Sequence, residues 1–227
     1  MAYPDFTTDT YEDFEDSTLA SGLSEVDVGG NITFPDAGQV FAGSGAMKVV
    51  ASTSEDDYIE RASIGQNYYQ FGFAFYATNL DNYDPGLEIL NLVSNSYGTM
   101  VRLSWKSPDV DPLIRVRIAD TEYDFPLTPD QWYWLSGNWI RNGTGKFRIY
   151  NYDHTEAIEP QDCACLDYAV DACRMGNLGS NNTKTFYFDR FVDYHANTQD
   201  SLLGWESAAA GLSIPVAIHH MQEQGML

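Results

Sequence analysis

Carboxylates that share one strand face are the first residues in this sequence that could carry chemistry. Retaining hydrolysis of a glycosidic bond needs two carboxyl groups about 5 Å apart, one as acid and one as nucleophile. Segment 87–92 reads Leu-Glu-Ile-Leu-Asn-Leu, so Leu90 and Leu92 stand where partners of Glu88 would be needed. One carboxylate cannot fill both roles, and we expect no glycoside hydrolase activity. A lyase would need a mixed basic and phenolic set on one sheet, for which the candidates are Tyr76, Arg102, Arg115 and His154.

Two residue groups are candidate metal ligands. Asp81, Asn82 and Asp84 form an oxygen-rich turn, which is typical of calcium sites. A solvated acidic loop is the alternative, because a chain with 33 acidic residues forms such clusters by chance. Structural zinc sites usually contain Cys-x2–4-Cys pairs, so the tighter cysteine spacing here favours reduced, partly buried thiols over zinc. The three cysteines are Cys163, Cys165 and Cys173.

Aromatic residues between positions 132 and 152 are candidates for a carbohydrate platform. Alternation places Trp132 and Trp134 on one side of a strand, and Tyr150 and Tyr152 follow on the next. Packing in the protein core is the alternative explanation for tryptophans at this spacing. The sequence leaves both interpretations open.

Arginines are concentrated on the polar side of the predicted strands. They predict a positive sheet face that would bind an acidic protein neighbour or an acidic polysaccharide, with Arg115 and Arg117 as the partner-binding residues. Cross-strand ion pairs with Glu122 and Asp124 are the alternative. The arginines predicted to share this face are Arg102, Arg115, Arg117 and Arg148.

Charge and composition exclude several classes of function. The 227 residues include 12 basic and 33 acidic side chains, a net charge of −21, which repels nucleic-acid phosphates and anionic lipids. We expect no secretion signal, because the first residues lack a basic and an apolar region, and no apolar run approaches a membrane span. The apolar fraction of 44% is enough for a packed core.

A period of two dominates the sequence from about residue 26 to 194. Phe71, Phe73 and Phe75 alternate with smaller or polar residues, as do apolar residues in most later segments. Asn142-Gly143 between two such segments predicts a hairpin. Roughly ten to thirteen strands and no helix before residue 198 predict an all-β sandwich or jelly roll of two antiparallel sheets.

Two segments depart from this period. Residues 153–183 contain the cysteines and a Gly/Asn-rich stretch, and they predict a long loop or insertion within a sandwich domain of residues 1–196. Residues 197–227 predict a C-terminal arm, because their apolar side chains have no place in the sandwich core. We expect this arm to contact another subunit through Leu212, Ile214, Val216, Ile218 and Met221.

Three stretches resemble the concanavalin A-like lectin/glucanase sandwich, including laminin-G-like domains. Residues 11–16 (Tyr-Glu-Asp-Phe-Glu-Asp) are similar to the entry strand of such domains. Residues 129–150 are similar to the family's W-x-x-L…G…F-x-I-Y hairpin, and residues 186–192 (Phe-Tyr-Phe-Asp-Arg-Phe-Val) to its closing strand. The resemblance implies a jelly-roll sandwich, in which a calcium ion is common, but it contains no catalytic fingerprint.

Phage structural proteins often combine such a sandwich with an anchoring extension. The resemblance therefore implies a non-enzymatic virion accessory subunit, either capsid-decorating or tail-associated, made in the host cytoplasm and anchored as a homo-oligomer or to other virion proteins. It would use no cofactor except possible calcium, and would bind neither nucleic acid nor membrane. The alternative is a carbohydrate-binding, lectin-like module, and a third reading is a glucanase or polysaccharide lyase.

Overall fold

The computed structural model describes residues 8–27, 29–51, 56–78, 87–106, 113–152, 156–178 and 185–194. These ranges contain fifteen strands and no helix, and every strand pair is antiparallel. The all-β class predicted from the alternation is confirmed. Within the described ranges, no helix is long and apolar enough to cross a membrane.

The strands form two sheets, which we call sheet A and sheet B. Sheet A consists, in spatial order, of β13 (Glu156–Ala164), β12 (Thr144–Asn151), β11 (Trp132–Ile140), β6 (Tyr68–Tyr76), β15 (Thr185–Tyr194), β4 (Ala46–Val50) and β3 (Ile32–Asp36), with β1 (Thr8–Glu12) also paired to β15. Sheet B consists of β10 (Thr121–Pro126), β9 (Leu113–Ile118), β8 (Gly98–Lys106), β7 (Leu87–Ser94), β14 (Ala172–Asn177), β5 (Asp57–Arg61) and β2 (Leu23–Asp27).

The main core lies between the sheets and follows the predicted alternation. Phe71, Phe73 and Phe75 of β6 are fully buried there, as is Trp105 of β8 from the opposite sheet. Although Trp105 is buried, its indole N–H donates a hydrogen bond to the carbonyl oxygen of Thr78 at 2.8 Å. Two apolar inner faces packed in this way define a sandwich.

Strand β15 is interrupted by a bulge in its middle. The register against β6 shifts between Asp189 and Val192, and Arg190 adopts a positive φ of 50°. Before the bulge β15 pairs with β4, and after it with β1. The one extra residue changes the alternation, so that Phe191 points into the main core and Val192 to the opposite side of sheet A.

The hairpin at Asn142 is confirmed, but the loop predicted for residues 153–183 is wrong. Asn142 has the positive φ of 53° that the turn needs, and it joins β11 to β12. Residues 153–183 contain β13 at an edge of sheet A and β14 inside sheet B. Neither strand was predicted from the sequence, because β13 contains Pro160, which is rare inside strands, and β14 is almost entirely buried, with only Arg174 half-exposed. The arm predicted for residues 197–227 lies outside the described residues.

Candidate functional site

Four aromatic side chains form a row across the outer face of sheet A, the face turned away from the main core. Tyr187, Tyr76 and Trp132 are direct partners on the adjacent strands β15, β6 and β11. Tyr152 follows the end of β12, one residue past the partner of Tyr133. The ring centroids of Tyr76 lie 5.5 Å from Trp132 and 6.2 Å from Tyr187, both edge-to-face. We call these four residues the aromatic row.

A second line of side chains lies beside the aromatic row. Trp134 and Tyr150 are strand partners there, and small residues make space for the indole. A Cβ atom on Gly72 would lie 2.7 Å from Cζ2 of Trp134, so the ring of Trp134 covers that glycine. Ala74 belongs to the same apolar cluster. Sheet A therefore has apolar surface on both faces, which is unusual for an antiparallel sheet with one face in water.

Residues 37–45, which we call the capping loop, close over one side of this surface. Phe41 packs against Trp132 and Tyr152, with ring centroids 5.7 and 5.4 Å away. The backbone N–H groups of Phe41 and Ala42 both donate to Oδ2 of Asp189 at 3.0 Å. A second anchor is Glu15, which accepts hydrogen bonds from Ser44. Two carboxylates thus fix the loop by its backbone.

Asp189 is the most perturbed titratable group at this site. It is fully buried, and loss of hydration raises its pKa from 3.8 to about 7. The N–H groups of the capping loop and the charge of Arg190 oppose that rise without cancelling it. Burial likewise raises the pKa of Tyr11 to about 12, and its hydroxyl accepts a hydrogen bond from Nη1 of Arg190 at 3.0 Å.

The outer face of sheet A becomes polar further from the aromatic row. Asn138 and Gln70 are strand partners there, and Oδ1 of Asn138 accepts the backbone N–H of Lys146 at 2.6 Å. Oγ of Ser136 and Oε1 of Gln70 are buried and have no hydrogen-bond partner among the described residues. Such buried polar atoms usually require a partner, which in a binding protein is often water or ligand.

The structure brings the four predicted carbohydrate-binding residues together, but not as an open platform. Trp132, Trp134 and Tyr150 are 7%, 1% and 4% exposed, whereas Tyr152 is 59% exposed. The three buried residues pack outside the main core, in the cluster under the capping loop, and Tyr152 contacts Phe41 at its edge. The sequence did not indicate that Tyr76, a candidate for the lyase set, and Tyr187 belong to this surface, because only the pairing of distant strands places them beside Trp132. Carbohydrate binding by these residues stays a prediction.

On the outer face of sheet B, the predicted alternative of cross-strand ion pairs with Glu122 and Asp124 is confirmed for Arg115. Arg115 contacts Asp124 at 2.6 Å and Glu122 at 2.7 Å, while Ile114, Val116 and Ile118 face the core. Arg148 was predicted to share this face, and that prediction is wrong. It lies on β12 of sheet A, because that strand joins the sheet opposite to Arg115. The role of Arg115 and Arg117 in partner binding stays a prediction.

The candidate lyase set does not come together. Tyr76 lies on the outer face of sheet A, whereas Arg102 and Arg115 lie on sheet B, across the sandwich. His154, like the other three histidines, lies outside the described residues. Glu88 is paired with Arg102 at 3.1 Å.

The described ranges contain none of the predicted metal sites. These residues contain no group of three or more His, Cys, Asp or Glu side chains suited to a metal ion. Asp81, Asn82 and Asp84 lie outside them, as do the apolar residues of the predicted arm. The three cysteines are free and buried, and Cys173 lies in the sheet opposite to Cys163. Burial raises the pKa of the Cys163 thiol to about 12.

Comparison with known proteins shows similarity to solved structures of the same fold. No protein-family model and no curated protein matches the chain. Solved structures that match include the cellulose-induced protein Cip1, with TM-score 0.60 and 13% identity over 83% of this chain and 97% of that one. An endo-β-1,4-glucuronan lyase from the fungus Trichoderma reesei matches with TM-score 0.59 and 13% identity, over 84% and 96%.

The receptor-binding domain of botulinum neurotoxin type G matches equally well, with TM-score 0.59 and 13% identity over 85% of this chain. This chain spans about half of that structure, 48% of its length. At such identities the likeness shows the fold alone. The fold is therefore a jelly-roll sandwich of two antiparallel sheets.

Proposed function

We propose that this protein is a non-catalytic glycan-binding module whose binding surface is the outer face of sheet A at the aromatic row. The observation that supports the proposal is the register of Tyr187, Tyr76 and Trp132 on three adjacent strands, extended by the exposed ring of Tyr152. A sandwich core does not require this arrangement, because these rings lie on the opposite side of the sheet from the core.

The exposed part of the row suits an amphipathic ligand. Tyr152 offers an open ring, and Tyr76 and Tyr187 are half-buried, so their accessible edges lie beside a rigid base formed by Trp132. Tyrosine and tryptophan supply contact area at a low cost in side-chain entropy, while their polar ends form hydrogen bonds. A sugar has apolar ring faces and peripheral hydroxyls, and it would match both features.

One feature of the same surface supports binding without turnover. Among the described residues, the carboxyl with a perturbed pKa on the outer face of sheet A is Asp189, and it is enclosed beneath the capping loop. Glycosidic hydrolysis needs two accessible carboxyls. The virion role expected from the sequence depends on residues 197–227, which lie outside the described residues, and it stays a prediction.

The test is titration of the full chain with a panel of soluble oligosaccharides by isothermal calorimetry. Tyr152→Ala should lower the affinity for any glycan that binds by at least about fivefold, since aromatic anchors contribute more than about 1 kcal/mol. The matched control is Tyr58→Ala, which removes a half-buried tyrosine from β5 of sheet B. Equal affinities of Tyr152→Ala and the unmodified chain would overturn the proposed surface.

Absence of turnover is tested on the same glycans. Prolonged incubation should release neither new reducing ends nor unsaturated sugars. Product release that Glu88→Gln abolishes would contradict the proposal and restore the glucanase reading.

A further inference from the structure

The outer face of sheet B contains a polar cavity formed around two arginines. Arg102 on β8 and Arg117 on β9 are direct strand partners, and both side chains point away from the core. The cavity has a volume of about 330 Å³, at the lower end of the range for small-ligand pockets. Its other lining residues include Tyr97, Thr99 and Asp120. We call Arg102 and Arg117 the arginine pair.

The arginine pair has N–H donors left for a ligand, whereas its neighbour Arg115 donates to two carboxylates. Arg115 is held on two sides, by Asp124 and Glu122. Among the described residues, the side chain that forms a hydrogen bond or ion pair with Arg102 is Glu88. A guanidinium group has five N–H donors, so most of those on Arg102 face the cavity or solvent.

Arg117 is held even more weakly. Its Nε donates to the carbonyl oxygen of Ala119 at 2.9 Å, which neutralises no charge. Its closest carboxylate, Asp120, lies 3.7 Å away and is fully exposed, so the attraction is largely screened by water. The pair is about half exposed, at 46% for Arg102 and 47% for Arg117, and is therefore accessible to a ligand.

Two adjacent guanidinium groups are suited to a planar or tetrahedral anion. Arginine forms paired hydrogen bonds with carboxylate and sulfate-like oxygens, which gives both strength and orientation. The ring of Tyr97 is 45% exposed at the same cavity and is supported from one side by Tyr168, with ring centroids 4.9 Å apart. An anion-binding pair beside a fixed, accessible ring matches a sugar that has an acidic substituent.

We infer that this cavity binds the acidic group of an anionic saccharide, a carboxylate or a sulfate ester, through Arg102 and Arg117. The site lies on the opposite side of the sandwich from the aromatic row and does not depend on the function proposed for that surface. In a protein with a net charge of −21, a site of this kind would select the anion by local contacts and not by long-range attraction.

The experiment measures binding of the full chain to a glucuronate oligosaccharide, a sulfated oligosaccharide, a neutral glucose oligosaccharide and inorganic sulfate. The inference expects binding of at least one acidic oligosaccharide that exceeds the neutral one by about tenfold or more. Which of the first two binds more tightly distinguishes a carboxylate from a sulfate ester. Binding of inorganic sulfate alone, or of no probe, would overturn the inference.

Substitutions test where the site lies, and they should change the affinity in opposite directions. Arg102→Gln and Arg117→Gln should each weaken binding about tenfold, whereas Arg115→Gln, on the same face but outside the cavity, should leave it unchanged. Asp120→Asn should strengthen it, because it removes a competing carboxylate. An equal loss in Arg115→Gln would show a diffuse charge effect and refute the site. Tyr152→Ala should leave this binding intact, which separates its outcome from the test of the aromatic row.

Discussion

Neutralising Asp189 should change how the stability of this protein depends on pH. The group is fully buried, its Oδ2 accepts two N–H groups of the capping loop, and its Oδ1 has no hydrogen-bond partner within the described ranges. The variant Asp189→Asn keeps the shape and an oxygen acceptor but removes the titration. Arg190 and Tyr11 are the charged and titratable groups that remain beside it.

The magnitude follows from the shift in pKa. Burial raises the pKa of Asp189 from 3.8 to about 7, and each pKa unit corresponds to about 1.4 kcal/mol. Between these two pH values the folded chain binds the proton and the unfolded chain releases it. The free energy of unfolding therefore falls as pH rises through this window, by about 4 kcal/mol in total and by about 3 kcal/mol between pH 5 and 8.

The assay is urea unfolding followed by tryptophan fluorescence at pH 5, 6, 7 and 8. Other carboxylates also titrate, so the informative quantity is the unmodified chain's free energy of unfolding minus that of Asp189→Asn. This difference should fall by about 3 kcal/mol from pH 5 to pH 8. Asp162→Asn, which changes an exposed carboxylate of β13, should give a constant difference. A constant difference for Asp189→Asn as well would refute the reasoning.

Three further predictions concern packing, ion pairs and thiols. Gly72→Ala should lower the free energy of unfolding by about 1–3 kcal/mol, measured by urea unfolding, because the new methyl group would meet Trp134; no loss would mean that the indole can move aside. Arg115→Gln should change that free energy by less than about 1 kcal/mol, since its ion pairs lie at the surface, and a larger loss would show that they stabilise the fold. Cys163 should resist iodoacetamide at pH 8 until urea unfolds the chain, because its thiol is buried and its pKa raised; mass spectrometry of the native protein would detect the contrary result.

Local alternation was enough to predict the class of fold. Strand β9 has one buried and one more exposed face, and its period of two correctly predicted which residues are buried. Strand β6 is buried on both faces, but its large aromatic residues alternate with smaller or polar ones, so the period was still visible. Strand β14 could not be found in this way, because it is buried on both faces and is only six residues long. The period is informative where the two faces of a strand differ in exposure or in side-chain size.

The candidate sites depend on the order of strands in the sheets, and the alternation in the sequence does not reveal that order. Tyr76, Trp132 and Tyr187 are more than fifty residues apart from one another in sequence, and only the order β11-β6-β15 makes them neighbours. The same reason explains the error at Arg148, whose strand shows the correct alternation but belongs to the other sheet. Arg102 and Arg117, in contrast, lie on consecutive strands, and their shared face was predictable.

The position of β15 has a consequence for how this chain folds during synthesis. Although it is the last described strand in sequence, β15 occupies the middle of sheet A, with β6 on one side and β4 and β1 on the other. Thr8 is the direct partner of Tyr194, so the first described strand pairs with the last. Until residues 185–194 leave the ribosome, β6 and β4 lack their shared neighbour and present open edges that other chains could join. Completion of this sandwich is therefore a late, long-range step, and folding should be slow compared with proteins that form local contacts first.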